Sequence, residues 1–349
     1  MTDLKAMLPE ELEDYLKSLG QPKFRAKQLF TWFAKGAKSF DEMSNIPKAL
    51  GEKLSGEAYI NSLKLLKKQV SAIDGTIKYL WELRDGNAIE TVLMRYDHGN
   101  TVCISSQVGC RQGCAFCAST IGGLVRDLSP SEMLDEVLFS QLDSGERISN
   151  IVIMGIGEPL DNFDNVIKFL RLVNHPDGLN IGMRHISLST CGLIEGMDRL
   201  AEEDLQITLA VSLHAPDDET RSRLMPANRK CGVDEVVAAC RRYFDRTGRR
   251  ISFEYSMIDG VNDSLAQAEK LAQIAVKIGA HINLIPLNHV EEREFAPTKK
   301  ENLKAFCRVL ESKGANYTIR RKLGGDVDAS CGQLRRKREI AQMRGEAAN

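Results

Sequence analysis

Aromatic residues are scarce, at 6% of 349 residues with only two tryptophans. Long apolar runs are missing too, and nothing approaches the roughly 20 residues that cross a bilayer, so no membrane association is expected. The net charge of −1 denies the chain the overall basic signature of a general nucleic-acid binder, and any such contact must come from local patches. The opening MTDLKAMLPEELEDYL has neither the apolar stretch nor the small-residue cleavage site of a secretory leader. A cytoplasmic protein is expected. Nine cysteines are an odd number in a chain long enough to bury a core without staples, which argues against a disulfide framework. Reduced thiols, metal ligands or catalytic groups are the remaining readings.

What is present is organised unevenly. From Tyr15 to Phe40 there is no acid, and Lys17, Lys23, Arg25, Lys27, Lys35 and Lys38 alternate with Phe24, Phe30, Trp32 and Phe33. Bases suit phosphates, and rings suit stacking or packing. A second basic patch follows Ala315, with Arg320, Arg321, Lys322 and then Arg335, Arg336, Lys337, Arg338 in clusters. Each patch, taken alone, also reads as a solvated charged face.

Apolar spacing at Leu12, Leu16 and Leu19, then at Ala26, Leu29, Phe30 and Phe33, predicts a small helical domain over residues 1–60. Residues 61–100 predict a β-meander linker, with Asp74-Gly75, Asp85-Gly86 and His98-Gly99 at its turns. From Thr101 onward short apolar strands alternate with amphipathic helices: TVCISS, IVIMGI, HISLST, ITLAVSLHA, ISFEYSMI, INLIPLN and YTIRRK. That rhythm predicts an α/β fold, a whole or partial (βα) barrel over residues 101–349, with its chemistry at the strand C-terminal ends.

The suspicious residues fall at those ends. GCRQGCAFC sets Cys110, Cys114 and Cys117 on a glycine-rich loop after the first barrel strand. Three grouped thiolates leave one iron of a four-iron cube open, as a catalytic cluster needs. Zinc prefers paired cysteines or a nearby histidine, and no histidine lies close.

With this loop the chain resembles the radical S-adenosylmethionine (SAM) superfamily. The resemblance implies a partial barrel of that type, a [4Fe-4S] cluster on Cys110, Cys114 and Cys117, and SAM chelated by the open iron and cleaved to a 5′-deoxyadenosyl radical. It also implies SAM contacts at Gly157 and Glu158 of the GEP motif and at Ser189, Ser212, Leu213, His214 and Asn288. A closer resemblance covers nearly the whole chain. CISSQVGC, CASTIGGLVRDL, MGIGEPLDN, SLHAPDDETRSRLMP, INLIPLNHV and GGDVDASCGQL are similar, in order, to blocks of the RlmN/Cfr family of RNA adenine methyltransferases. GEPL, STCGL and LIPLNHV lean towards its C2-directed members rather than the C8-directed ones.

That family implies more than a cluster. Adenine C2 is electron-poor and offers no nucleophile, so one SAM methylates a cysteine and a second is cleaved to activate that methyl group, two per turnover. Cys331 in DASCGQL matches the methyl carrier, and Gly324, Gly325 and Gly332 around it imply a mobile loop. Cys103 matches the thiol that resolves the adduct as a disulfide; the first and last strands of a barrel adjoin, which would bring the two together. Glu90 matches a proton acceptor beside the target base, with His214, His281 and His289 as alternatives. The implied partners are 23S rRNA at its peptidyl-transferase region, tRNA at the adenine following the anticodon, and an electron donor such as a flavodoxin or ferredoxin system. Both basic patches become RNA contacts, the N-terminal domain becomes an RNA-binding accessory, and a monomer is expected. Two rivals stand beside this reading: a C8-directed methyltransferase, and a non-enzymatic iron–sulfur redox protein.

Overall fold

Pleating decides which side chains meet. In a computed structural model that describes residues 1–288, 290, 292–327 and 332–343, the meander strands are β1 (Lys64–Val70), β2 (Ile77–Glu82) and β3 (Ala88–Met94). Ile77, Tyr79, Trp81, Ile89 and Leu93 turn to the large apolar core, whereas Leu80, Val92 and Met94 belong to small clusters on the other face, as a period of two requires. Lys78 and Glu90 share that second face by alternation.

Seven parallel strands follow: β4 (Asn100–Ile104), β5 (Ile148–Ile153), β6 (Ile186–Thr190), β7 (Thr208–Ser212), β8 (Ser252–Met257), β9 (His281–Pro286) and β10 (Asn316–Ile319). Each lies beside its predecessor, and the meander continues the same ten-stranded sheet beyond β4. The intervening helices include α4 (Pro130–Ser144), α5 (Phe163–Asn174), α6 (Ile194–Glu202), α7 (Asp218–Leu224), α8 (Val233–Thr247), α9 (Leu265–Ile278) and α10 (Lys300–Ser312). Their starts are chemically specified. Ser129 before Pro130 forms a capping box with Glu132, and Ser264 does the same with Gln267.

One expectation needs correction. The meander extends the sheet, with β3 antiparallel to β4 and Val92 opposite Cys103, so the first and last barrel strands do not adjoin. The edge of β4 that closure would need is taken by β3, and among the described residues β10 pairs with β9 alone. The barrel is open. The chain after β10 crosses back instead: Asp326 accepts from Ser71 Oγ at 2.5 Å and from the Ala72 N–H at 2.8 Å, and Asp74 accepts from the Gly324 N–H at 2.8 Å. It then enters α11 (Gln333–Met343), a helix the charge cluster had concealed.

Ahead of the sheet, helices α1 (Pro9–Ser18), α2 (Phe24–Ala34) and α3 (Lys48–Glu57) close over their own core of Leu12, Leu16, Leu29, Phe30, Phe33 and Leu54, joined by Leu172 of α5. A buried Lys5–Asp135 ion pair fastens this unit to α4, with Asn61 Nδ2 donating to the same carboxylate at 2.9 Å.

Candidate active site

The cysteine loop hangs from a short ribbon, Gln107–Gly109 paired antiparallel with Leu124–Asp127. Gly109 has φ +81°, and a Cβ there would lie 2.0 Å from the Gly123 carbonyl oxygen, so only glycine allows the ribbon to close. Within the loop the Cys110 N–H donates to the Gly123 carbonyl, and Thr120 Oγ1 donates to the carbonyls of Cys114 and Cys117 at 3.2 and 3.0 Å. Arg293 adds a guanidinium bond to the Cys117 carbonyl at 3.1 Å. Phe116 meets the His214 ring edge-on at 4.9 Å.

Above the loop lies a cavity of ≈ 340 Å³, within the usual range for a small-molecule site. Cys110, Cys114 and Cys117 line one end, and Gly157, Glu158, Ser189, Ser212, His214 and Asn288 line the rest. Leu213 does not line it. That side chain is fully buried in the main core, and its backbone serves the fold: its N–H donates to the Glu254 carbonyl and its own carbonyl accepts from Arg221.

Gly157 has φ +115°, and a Cβ would come within 2.8 Å of the Gln107 backbone nitrogen. The Glu158 carboxylate is already spent on the N–H groups of Leu160 (3.1 Å) and Cys191 (2.7 Å), tying the end of β5 to the end of β6. Burial pushes its pKa up, and these hydrogen bonds pull it back. What the GEP motif offers a ligand here is therefore its backbone. Ser189 and Ser212 oxygens lie 3.4 Å apart on neighbouring strands. His214 accepts at Nδ1 from the Ser256 N–H at 3.0 Å, and burial drives its pKa down to about 3, which keeps the ring neutral.

The thiols are hard to ionise alone. Burial pushes Cys110 up to about 12, with the Cys117 charge adding to it, and raises Cys114 in the same way with Cys117 and Cys110 beside it. Such thiols become good ligands when a cationic cluster compensates their charge. Among the described residues no three His, Cys, Asp or Glu side chains converge on one metal ion. A four-iron cube, whose ligands bind at separate corners, fits this donor set better than zinc does.

Cys103 and Glu90 sit behind the meander side of the cavity and do not line it. Cys103 on β4 is buried against Val92 and Met94, with Leu323 from beyond β10 packed on the same cluster. Val92, Met94 and Leu323 also line the cavity. Glu90 is not the accessible strand carboxylate one would picture for a base. It forms an ion pair with Lys78 at 2.6 Å, with both side chains buried, and accepts from the N–H groups of Gly332 (2.6 Å) and Arg335 (2.5 Å) at the start of α11. Gly332, with φ +78°, also abuts the Ser119 turn that follows Cys117. Cys331 and His289 lie outside the described residues. His281 bonds Thr318 at 3.0 Å and lies away from the cavity lining.

This fold and this constellation have relatives. A model of the Radical SAM superfamily matches residues 104–272, and one for the ribosomal RNA large subunit methyltransferase N-terminal domain matches residues 2–60. Proteins named probable dual-specificity RNA methyltransferase RlmN, from Lachnospira eligens and Desulforamulus reducens, are 52% and 53% identical over 338 residues, covering 97% of each chain. The chain belongs to the RlmN family. A radical SAM methyltransferase from Sphaerobacter thermophilus, known from its crystal structure, superposes with a TM-score of 0.90 at 42% identity, covering 95% of this chain and 99% of that one. Membership in the RlmN family, within the radical SAM superfamily, implies a [4Fe-4S] cluster and SAM.

Sequence reasoning missed several residues of this RlmN-family site. Arg221 is fully buried and donates to the carbonyls of Cys191 (2.6 Å) and Leu213 (3.1 Å), stitching the ends of β6 and β7. Glu254 lines the cavity, accepts from Asn283 at 2.8 Å, and has its pKa raised by burial. Lys78 is the third. A charge at an inward position of a strand, in ISFEYSMI or IKYLWE, was the signal available for Glu254 and Lys78.

Proposed function

We propose that this chain methylates C2 of adenine in 23S rRNA, at the peptidyl-transferase region, and in tRNA, at the adenine following the anticodon. Two SAM molecules serve each turnover. Held by Cys110, Cys114 and Cys117, the [4Fe-4S] cluster would supply the electron for SAM cleavage. The Gly157–Glu158 backbone, Ser189, Ser212, His214 and Asn288 orient SAM in the cavity, and the neutral His214 adds no competing positive charge beside its sulfonium.

Cys331 accepts the first methyl group and carries it to the ring carbon. Glu90 takes the proton that C2 loses once α11 withdraws its N–H donors. The adduct gives its unpaired electron back to the donor system; the Cys103 thiolate then attacks the Cys331 sulfur, an S–S bond forms as the carbon–sulfur bond to the RNA breaks, and the departing methylene carbon takes a proton to leave as the methyl group. A flavodoxin or ferredoxin system is the electron donor, the cytoplasm the compartment, and a monomer the working unit. The observation that carries this reading is one contact: Gly332, the residue after Cys331, donates to Glu90, whose strand neighbour Val92 pairs with Cys103.

Cys103→Ala tests it. Purified with RNA present, this variant should retain a covalent adduct on the peptide around DASCGQL, detected by mass spectrometry after digestion. Full turnover by Cys103→Ala, or an adduct on another cysteine, refutes the assignment. Mapping the methylated carbon separates C2 from C8 in the same experiment.

A further inference from the structure

The acid-free stretch from Tyr15 to Phe40 looked uniform, but the fold sorts its rings into two sets. Phe30 and Phe33 fill the core of the N-terminal unit, whereas Phe24 is 56% exposed and Trp32 only partly covered. These two outward rings line a groove of ≈ 640 Å³ together with Lys27, Gln28, Lys35 and Asn45. We infer that this groove is a second RNA contact, remote from the SAM cavity, that takes one unpaired nucleobase presenting two adjacent acceptors, as guanine does with O6 and N7 or cytosine with O2 and N3.

The donors decide the base. The Trp32 indole can only donate and gives its N–H to Asn45 Oδ1 at 2.7 Å, so the amino group of exposed Asn45 is left as a donor. The Arg25 guanidinium likewise can only donate and takes Gln28 Oε1 at 2.7 Å, leaving the Gln28 amino group in the same state. Two NH₂ donors on residues that line the groove with Phe24 and Trp32 match adjacent acceptors. They mismatch adenine, which alternates N6 donor with N7 acceptor, and uracil, whose two carbonyls flank an N–H.

The rings and charges fit the same occupant. Arg25 covers one face of Phe24 at 4.8 Å, and Lys35 lies 5.2 Å from the Trp32 centroid, so each ring has a cation beside it and a base can stack on the free surface. Lys27 pairs with Asp177 and Lys23 with Glu13 through exposed contacts that a phosphate can displace. Arg25 itself is committed, holding the Asn45 carbonyl at 3.0 Å.

The proposal rests on RNA being the substrate, and its test separates the two claims. The full chain is titrated with hexauridylate and with the same hexamer carrying one central guanosine, cytidine or adenosine, following tryptophan fluorescence. Trp81 is buried and stacked on Tyr79 at 4.9 Å, so the changing signal belongs to Trp32. Quenching should favour the guanosine and cytidine hexamers. Phe24→Ala, which removes an exposed ring and empties no core, should weaken binding roughly ten-fold. Asn45→Asp keeps the acceptor for Trp32 but loses the donor, and should abolish the base preference. Equal quenching by all four hexamers, or unchanged affinity in both variants, overturns the groove; RNA methylation by the same preparation then leaves the enzymatic reading standing. The expected pattern from a preparation that methylates no RNA would uphold the groove and refute the activity.

Discussion

On the cluster side of the cavity, position is enforced by backbone. Gly109 and Gly157 fill spaces no side chain could enter, Glu158 and Arg221 spend their charges on peptide groups, and strand ends are tied to one another over short sequence distances. The meander side is held by side-chain charge: Glu90, paired with Lys78 on the next strand, reaches across the chain to two N–H groups 242 and 245 residues away, and Asp326 reaches back to Ser71. The first wall is suited to hold a cofactor still. The second can release a segment without disturbing the sheet, because every bond it would break is a hydrogen bond or ion pair outside the ladder.

The comparison breaks most severely at the cysteines. Cys110→Ala, Cys114→Ala or Cys117→Ala should abolish both the cluster's visible absorption and SAM cleavage, since each removes a thiolate the cube needs. An intact four-iron spectrum in any of them would overturn the ligand assignment.

A buried pair offers the matching test of the other wall. Lys78→Met strands the Glu90 carboxylate in an apolar setting and should cost about 3–5 kcal/mol in urea unfolding. Combining it with Glu90→Gln should recover part of that loss, because no charge is left unpaired. Purely additive losses would mean that the two side chains do not act as a pair.

Gly157→Ala sharpens the contrast by probing backbone alone. A methyl group at φ +115°, aimed at the Gln107 nitrogen, should destabilise the fold by about 2–4 kcal/mol. Unchanged urea unfolding would show that the first wall yields after all.

The smallest effect is one of pH. Buried His214 binds its proton only near pH 3, whereas in the unfolded chain it does so near 6.5. Between those values the unfolded state holds the extra proton, so stability falls as pH drops below about 6.5 by up to about 1.4 kcal/mol per pH unit. His214→Asn keeps a residue tolerant of the left-handed backbone observed there, φ +54°, and should flatten that slope. An identical slope in the variant would place the titration elsewhere.

Legibility in the sequence followed the same division. Strand positions came through because β-branched runs are local signals: IVIMGI overlaps Ile148–Ile153, and amphipathic helices separate the strands as that rhythm predicts. The cysteine loop and GEP motif were equally plain. What stayed hidden depends on distant partners. Lys78 reads as an ordinary strand charge and Glu90 as a proton acceptor until pleating puts them on one face as a pair, and the ribbon strands at Gln107–Gly109 and Leu124–Asp127 are too short for a periodic signal. The basic run after Gly332 masked a helix, because its apolar Leu334 packs against Leu80 and Ala88 from the meander. That β3 rather than β10 takes the edge of β4 has no signature in either strand alone.

The monotonic strand order also bears on how the chain is made. During synthesis each new strand can add to the free edge of the sheet left by the one before it, while β3 covers the other side of β4 from the outset, so the growing edge moves along one side and the far edge stays with the lysine-bearing β1. Contacts such as Ser71–Asp326 and Glu90–Gly332 must wait for nearly the last residues to emerge. A ribosome-bound intermediate would thus hold the meander and the cysteine loop before Gly332 and α11 arrive to pack against the turn that follows Cys117.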